Sequence, residues 1–540
     1  MKLFKNIKIA TLGLAGALTM TSCLNELDQA PVDPDSFTEI DVFADAASAK
    51  GALAKLYAAL AITGQQGPSG QGDIQGIDEG SSQFTRMLYN LNELTTDHAV
   101  VAWGDPGLPN LHAMDWTSSN QWVEGMYYRL AQEVSFTNSF ISNAAALSSD
   151  AEVAAYIAEA RFLRAYAYYN LLDLFGEVPL LTELKAEKPS QASKDEIFNF
   201  IESELIAIES DLKATGSNEY GRVDETAAQA LLSRLYLNAE SFIGVDKYTE
   251  CITYSNKVFN GAYSLHVNDA NGNGSSYDDL FLADNDANGA ANEMIFPLLF
   301  DGIQTQTYGG MTFLVHASVG GSMNPVDFGI NGGWFGLRST KALVEKFNPT
   351  ASNSNGEPIA WGDNRALFYT DGQAFEIDKI SEFSGGYTIT KFKNVTSQGE
   401  AGSDPNGDFP DSDLPLIRVA EIYLNYAEAV LRGGAGGSES QALEYVNQLR
   451  ARAFGDNSGS IDAAELSLQF VLDERSRELY WEGFRRTDLI RYGQYTTGSY
   501  LWPWKGDVST GTAVESYRSV FPIPANVIAV NPNLVQNEGY

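Results

Sequence analysis

Cysteine and histidine are scarce in this chain, which has two cysteines and four histidines among its 540 residues. So few cysteines cannot build a disulfide scaffold, and the chain is long enough to be stabilised by a large hydrophobic core instead. The histidines show no HxxxH-like pairing, so a histidine-based zinc site is not expected. Cys251 lies in a helical pattern and is interpreted as a small core residue.

Basic residues are also scarce, because 35 Lys and Arg are outnumbered by 70 Asp and Glu, for a formal net charge of −35. Such an acidic chain repels the phosphates of nucleic acids, which excludes nucleic acid as an expected partner. The charge is consistent with a solvated extracellular or periplasmic surface.

Apolar runs of membrane-spanning length are absent after residue 22. Residues 1–22 carry Lys2, Lys5 and Lys8 and then a short apolar core, and Cys23 follows a small residue. This apolar core is too short for a permanent membrane helix and is typical of a signal peptide. The junction resembles the bacterial lipobox, in which the cysteine is diacylated and becomes the mature N-terminus; the alternative is an ordinary signal peptide with a chance cysteine.

These features predict an exported, lipid-anchored protein. Cys23 is the predicted lipidation site, and residues 23–36, rich in Asp and Pro, are predicted to be a flexible tether. Two or three acyl chains anchor a protein far more firmly than one, so no other membrane anchor is needed.

Helical periodicity dominates residues 37–262. It predicts a helix over 37–60, capped by Ser36 or Thr38, and strong helices from about residue 120 onward. Residues 226–262 resemble a tetratricopeptide unit, and a later helical pair spans 414–434 and 440–453. We therefore expect a mainly α-helical fold of tetratricopeptide-like hairpins.

The second part of the chain, residues 263–540, begins with a different texture. Gly, Asn, Asp and aromatic residues dominate 263–413, with short strand-like pieces such as MIFPLLF and YTITKF. This stretch is interpreted as a loop-rich insertion before the final helices, and it is where binding loops are expected.

Three segments of the sequence resemble one protein family. They are EARFLRAYAYYNLLDLFGEVPL (159–180), ERSRELYWEGFRRTDLIRYGQY (474–495) and FPIPANVIAVNPNLVQNEGY (521–540). With the lipoprotein signal, they resemble the SusD/RagB family of surface glycan-binding lipoproteins over essentially the whole mature chain. The segments NELTTD, YGGMTFLV, LFLADND and YLWPWKG are most similar to the starch-binding branch of that family.

The resemblance implies a mostly helical fold with a loop-rich side that carries a sugar site. It also implies a protein that is not an enzyme and requires no cofactor. Members of the family lie on the outer membrane, exposed at the cell surface, as a hinged lid over a SusC-like TonB-dependent barrel. They hand oligosaccharides to that barrel.

The resemblance also implies which residues bind the glycan. In the starch-binding branch an aromatic arc is flanked by an Asp and an Arg that bond to hydroxyls; the matching polar residues here are Asp78 and Arg86. The second and third aromatics match Tyr308 and Trp334. The first position departs from the pattern, since Val-Ala-Trp103 stands where starch binders have Trp-Ala-Trp, so Trp103 either takes over the stacking or leaves the arc weaker.

The residues themselves agree with sugar binding, which needs aromatic faces and a few polar side chains. Glycines beside Tyr308 and Trp334, at 309–310 and 332–333, allow a ligand to approach the backbone. The competing interpretation is that each tryptophan is a packing residue and that Arg86 forms a surface salt bridge with Asp78 or Glu79. Five further tryptophans are interpreted as structural: Trp116, Trp361, Trp481, Trp502 and Trp504.

Two further motifs have structural interpretations beside functional ones. DNDANG begins like a calcium loop, with Asp284, Asp286 and Asn288, but it lacks the bidentate Glu of an EF-hand, and Glu293 lies two positions too early. A calcium site of another geometry and an Asn/Asp-rich turn both remain open. The basic stretch 485–491, with Glu478 and Glu482, is predicted to form a structural ion-pair network along one helix.

The leading interpretation is capture, without turnover, of an α-glucan such as starch, glycogen or a maltooligosaccharide. A curved β-glucan such as laminarin is the runner-up, because the first arc position departs from the starch-binding pattern. Two functions of other classes are less favoured: a surface glycoside hydrolase and a helical-repeat adaptor that binds protein.

Overall fold

The computed structural model describes residues 42–185 and 187–540. The predicted signal peptide at 1–22, the lipidation site Cys23, the tether at 23–36 and the proposed caps at Ser36 and Thr38 lie outside these residues. The described chain is mostly α-helical with short strands, which confirms the predicted fold class.

The first half of the described chain is built from helices with short connections. Their bounds are α1 (Ala46–Ala61), α2 (Phe84–Asn92), α3 (Pro109–Ala113), α4 (Gln121–Ala144), α5 (Ala151–Phe175), α6 (Lys194–Ile208), α7 (Glu225–Leu237), α8 (Ala239–Ile243) and α9 (Tyr248–Phe259). Neighbouring helices pack in pairs, α4 against α5, α5 against α6 and α7 against α9, as the hairpin pattern predicted.

Local sequence signals explain where these helices begin and end. The side chain of Asp45 accepts from the backbone N–H of Ser48 at the start of α1. Ser193 and Glu196 form a capping box at the start of α6, which satisfies N–H groups that a helix leaves unpaired. Helix α5 ends at Gly176, whose φ of +71° suits a residue without a Cβ.

The second half combines short strands, irregular loops and helices. Its further helices are α10 (Gly310–Ala317), α11 (Lys341–Val344), α12 (Val419–Leu431), α13 (Glu439–Phe454), α14 (Leu468–Leu479), α15 (Arg485–Arg491) and α16 (Ala525–Val530). Across both halves, the strands of the described residues are β1 (Val100–Val101), β2 (Met294–Leu298), β3 (Leu337–Arg338), β4 (Pro349–Ser352), β5 (Pro358–Trp361), β6 (Phe368–Tyr369), β7 (Thr388–Ile389) and β8 (Leu414–Arg418).

Two strand pairs connect distant parts of the chain. The fully buried strands β2 and β8 pair antiparallel and enclose the loop-rich stretch between them. Strand β1 from the first half pairs antiparallel with β3 from the second, with Val101 opposite Leu337. Helices α7 and α9 also pack on α12, so a single core joins the two halves.

The predicted ion-pair network exists, but its geometry differs from the prediction. The segment is not one helix, because α14 ends at Leu479 and α15 begins at Arg485, with Trp481 between them at a φ of +64°. Glu478 and Glu482 therefore do not pair with the arginines of α15. They both contact the buried Arg418, at 2.6 and 2.7 Å.

The arginines of α15 instead bind acids on other helices and loops. Arg485 pairs with Asp97 at 2.6 Å, and Arg491 pairs with Glu428 at 2.6 Å. Arg491 also pairs with Asp488, three positions earlier on α15, at 2.7 Å, so the i, i+3 spacing accounts for one pair of the network. The other partners could not be predicted from spacing along one helix, because they lie on other elements of the fold.

Candidate functional site

Three aromatic rings that the sequence placed in different loops lie side by side. The ring centroids of Tyr308 and Trp334 are 6.4 Å apart, and those of Trp334 and Trp103 are also 6.4 Å apart. Neighbouring ring planes are tilted by 47° in both cases. Tyr308 is 38% exposed, and the two tryptophans are half-buried. We refer to these three residues as the aromatic row.

Strand pairing brings Trp103 to the row. Just beyond β1, the N–H of Ala102 donates to the carbonyl oxygen of Gly336 at 2.9 Å. The indole of Trp103 packs on Gly336, where a Cβ would lie 2.6 Å from the ring. Its Nε1–H donates to the carbonyl oxygen of Trp334 at 3.0 Å. Trp103 is therefore fixed beside Trp334 by a hydrogen bond and by the missing side chain at position 336.

Trp334 rests on a buried histidine that the sequence patterns did not single out. The imidazole of His316 stacks on the indole with centroids 4.8 Å apart, and the His316 carbonyl oxygen accepts from the Trp334 N–H at 2.8 Å. Its ring nitrogens face the carbonyl oxygens of Gly332 at 2.7 Å and Asp408 at 2.9 Å. Burial lowers the pKa of His316, against the opposing effect of these carbonyls.

Tyr308 is held by an acid that was considered as a partner for Arg86. The carboxylate of Glu79 accepts from the Tyr308 N–H at 3.0 Å and from the hydroxyls of Thr63 and Thr307, both at 2.6 Å. Glu79 is therefore committed to the loop that carries Tyr308. Sequence reasoning could not find this role, because the partners lie far apart along the chain.

Arg86 lies behind the row without a salt-bridge partner among the described residues. Its guanidinium carbon is 4.7 Å from the ring centroid of Phe313, 5.2 Å from that of Trp122 and 5.8 Å from that of Trp103. Burial lowers its pKa to about 10, against the opposing charge of Asp78. The side-chain Nε is buried without a hydrogen-bond partner. The interpretation of Arg86 as one half of a surface salt bridge is therefore wrong, and a buried cation remains beside the aromatic rings.

Asp78 is exposed at the start of the turn that leads to α2. Its backbone carbonyl accepts from the N–H groups of Ser81 and Ser82, at 3.1 and 3.0 Å. Its charge acts on Arg86, whose guanidinium carbon lies 5.8 Å from the Trp103 ring, while the next residue, Glu79, binds the backbone of Tyr308. An exposed carboxylate and a buried guanidinium together offer both acceptors and donors to a polar ligand.

The predicted role of the neighbouring glycines is wrong at three of the four positions. A Cβ at Gly309 would lie 2.3 Å from a glutamine side chain, and one at Gly310 would lie 2.4 Å from a phenylalanine ring. At Gly333 it would lie 2.2 Å from the carbonyl oxygen of Val319. These glycines accommodate the protein itself, and only Gly332 faces open space.

The residues considered for calcium do not converge on one point. Asp284 accepts from the Ser397 hydroxyl at 2.6 Å, while Asp286 is exposed. Glu293 is buried and pairs with two arginines, Arg418 at 2.9 Å and Arg452 at 2.7 Å. Within 42–185 and 187–540, no group of three or more His, Cys, Asp or Glu side chains could hold a metal ion. The segment is a hydrogen-bonded turn.

Most tryptophans that were interpreted as structural are buried. Trp116, Trp481 and Trp502 are at most 2% exposed. Trp361 and Trp504 are half-buried, and Trp504 donates its Nε1–H to the carbonyl oxygen of Ile377 at 2.9 Å. These side chains contribute to packing, away from the aromatic row.

Known proteins resemble this chain along its whole length. The starch-binding protein SusD of Bacteroides thetaiotaomicron is 36% identical over 96% of this chain and 96% of its own. The chain belongs to the SusD family. A family model described as "SusD family" matches residues 342–540, and one described as "Starch-binding associating with outer membrane" matches residues 35–237. SusD-family proteins bind carbohydrate and are not catalytic.

Other proteins resemble this chain at lower identity, in sequence or in fold. A SusD-like protein, P25, of Formosa agariphila is 25% identical over 84% of this chain and 83% of its own. The solved structure of surface glycan-binding protein A from Bacteroides fluxus covers 92% of this chain and 99% of its own, with a TM-score of 0.67 and 22% identity. A SusD superfamily protein from Parabacteroides distasonis aligns with a TM-score of 0.68 over 92% of this chain and 99% of its own, at 22% identity.

The SusD-family fold of this chain carries no candidate membrane span in its described part. Among residues 42–185 and 187–540, every helix is too short or too polar to cross a bilayer. The description of the matched N-terminal family model nevertheless associates its members with the outer membrane.

Proposed function

We propose that this protein captures starch or other α-glucan oligosaccharides at the cell surface and delivers them to a SusC-like TonB-dependent transporter. The observation that carries the proposal is the aromatic row. Its neighbouring ring planes are tilted by 47° at each step, so the three rings do not form a flat platform. A row of tilted rings suits a chain that coils, as α-1,4-linked glucans do.

The chemistry of each part fits a sugar ligand. The C–H faces of a pyranose pack on aromatic rings, and Trp103, Tyr308 and Trp334 supply those rings. Hydroxyl groups need donors and acceptors at the edge of the stack, which Arg86 and Asp78 supply. Burial of the unpaired Arg86 carries a desolvation cost. A ligand hydroxyl that accepts hydrogen bonds from its N–H groups offsets part of that cost.

The family and the N-terminal sequence support the proposed transport role. Cys23, after its predicted signal peptide, would carry the lipid that holds the protein to the outer membrane. The strongly acidic composition is consistent with a solvated surface. A lid of this kind gains nothing from hydrolysing its cargo, so binding without turnover is the proposed activity.

A β-glucan such as laminarin is the second candidate ligand. The observation that favours it is the sequence Val-Ala-Trp103, because the first arc residue of starch binders is replaced by Val101. Trp103 packs on Gly336 and Trp334, so its position in the row is fixed by this chain's own loop.

Calorimetric titration with matched oligosaccharides separates the two ligands. Residues 24–540 are titrated with maltoheptaose and with laminariheptaose, under the same buffer and concentration. Saturable binding of maltoheptaose alone supports the α-glucan proposal, and binding of laminariheptaose alone replaces it with the β-glucan one. An absence of binding to both refutes glucan capture.

A further inference from the structure

Phe335, the residue after Trp334, has an unusual backbone conformation and an unusual exposure. Its φ is +54°, in the left-handed region that large side chains rarely adopt, and its side chain is 51% exposed. An exposed phenylalanine gains little from burial, so packing alone does not explain why this residue is kept in a strained conformation.

The strained conformation is fixed by hydrogen bonds to the end of α10. The N–H of Phe335 donates to the carbonyl oxygen of Val319 at 3.1 Å, and the N–H of Gly336 donates to that of Ala317 at 2.9 Å. With the bond from Trp334 to His316, successive N–H groups are all directed at one stretch of backbone. The orientation of Phe335 is therefore built into the loop.

A second phenylalanine accompanies it. The rings of Phe335 and Phe383 are 5.4 Å apart in an edge-to-face arrangement. Both pack directly on Gly320, where a Cβ would lie 2.7 Å from one ring and 2.8 Å from the other. The two rings thus form a small apolar surface that packs on the backbone of Gly320, and Phe335 is the more exposed of the two.

Polar groups border this pair of rings. The amide end of Gln373 lies 3.6 Å from the Cβ position of Gly321, beside Phe383. The exposed hydroxyl of Ser322 donates to the carbonyl oxygen of Asp371 at 2.7 Å and lies 3.1 Å from the hydroxyl of Tyr369. An exposed ring with hydroxyl groups near its edge is a combination that suits a pyranose.

We propose that Phe335 and Phe383 form an additional sugar-stacking subsite, which lengthens the stretch of glucan that the aromatic row holds. Phe335 follows Trp334 directly, so their Cα atoms are only about 3.8 Å apart and the subsite begins next to the aromatic row. The inference rests on the proposed capture of glucans and adds a preference for longer chains. The subsite takes a pyranose unit beyond those stacked on Tyr308, Trp334 and Trp103.

The variant Phe335→Asn tests the subsite, because asparagine tolerates the left-handed conformation but has no ring. Calorimetric titration with maltotriose and maltoheptaose compares short and long ligands. The expected result is a loss of affinity of about 2- to 10-fold for maltoheptaose, the value of one aromatic contact, and no change for maltotriose. Val326→Ala, at a side chain that is 74% exposed elsewhere on the surface, is the control.

Each contrary outcome overturns the subsite. Equal losses for both oligosaccharides would assign Phe335 to the support of the aromatic row, and unchanged affinity for maltoheptaose would mean that its ring contacts no sugar. If Phe335→Asn does not fold, Phe335→Gly, which also accepts a positive φ, takes its place. Failure of the wild-type protein to bind either ligand would refute glucan capture itself and with it the subsite. That result is distinct from the others because it needs no variant.

Discussion

Arg86 differs from the buried Arg418 in the groups that surround it. Arg418 contacts three carboxylates, those of Glu293, Glu478 and Glu482, within 2.9 Å. Arg86 contacts no carboxylate among the described residues, and aromatic rings surround it instead. A buried charge without a partner is costly, so the proposed ligand-binding role of Arg86 can be separated by experiment from a role in stability.

Replacement of Arg86 by methionine separates these two roles. Arg86→Met keeps an unbranched side chain of similar length but removes the charge, so the thermal unfolding temperature is expected to stay the same or to rise. Affinity for maltoheptaose is expected to fall about 10-fold, as for the loss of a hydrogen bond to a charged group. Calorimetric titration and thermal unfolding followed by circular dichroism measure both quantities.

Arg418→Met is the matched control for that experiment. It removes one shared cation from three buried carboxylates, each of which keeps another basic partner, and is expected to lower the free energy of unfolding by about 3–5 kcal/mol. If Arg86→Met destabilised the protein to the same extent and kept its glucan affinity, Arg86 would be a structural residue.

Glu133 gives the stability of the protein a distinctive pH dependence. Its side chain is 1% exposed, and neither carboxylate oxygen has a hydrogen-bond partner. Burial raises its pKa to about 8, against the opposing charge of Arg129. Because folding raises this pKa, protonated Glu133 contributes stability that is fully present below a pH of about 4.5. That stability is lost as the pH rises through about 8.

The variant Glu133→Gln therefore flattens the stability profile. Between pH 5 and 8 the wild-type free energy of unfolding is expected to lose on the order of 3 kcal/mol through this group, and the variant is expected to lose none of it. Urea unfolding at several pH values measures the difference. Parallel profiles for the two proteins would show that Glu133 does not titrate in this range.

The loop that carries Trp334 depends on a glycine for its contact with Trp103. A Cβ on Gly336 would lie 2.6 Å from the indole, closer than two carbon atoms can approach, so the ring must move in Gly336→Ala. Its hydrogen bond to the Trp334 carbonyl oxygen would be lost with it. We expect affinity for maltoheptaose to fall roughly 3- to 10-fold while the protein stays folded.

Gly51→Ala is the control for this loop. Gly51 lies in α1 with open space at its Cβ position, so the substitution is expected to leave glucan affinity unchanged and to stabilise the helix by about 0.5–1 kcal/mol. Titration calorimetry on both variants measures the effect. Equal affinities for Gly336→Ala and Gly51→Ala would contradict the proposed role of Trp103 in the row.

Several elements could be predicted from local sequence, and others could not. The helices α4 and α5 are long runs of helix-forming residues, and the strand pieces MIFPLLF and YTITKF contain β2 and β7. Helix α10 was missed because it begins in a glycine-rich loop and is buried on all sides, so it has no amphipathic pattern. The glycines near Tyr308 and Trp334 were misinterpreted because sequence cannot tell whether a ligand or the protein fills the space beside them.

At the scale of the whole molecule, the candidate site is assembled from both halves of the chain. Trp103 comes from the first half, and Tyr308 and Trp334 come from the second. Trp103 and Trp334, which share a hydrogen bond, are 231 positions apart along the chain. The β1–β3 pair and the contact of Arg485 with Asp97 hold these halves together. Periodicity could not predict this proximity, and family resemblance alone indicated that the residues share one site.

Affinity electrophoresis tests the central claim of glucan capture most directly. Residues 24–540 and the variant Trp334→Ala are run in native gels that contain amylopectin, laminarin or no polysaccharide. We expect amylopectin to retard the wild-type protein strongly, and the folded variant to migrate as it does without polysaccharide, because its middle ring is missing. Equal retardation of both proteins, or no retardation of the wild type by amylopectin, would contradict the account.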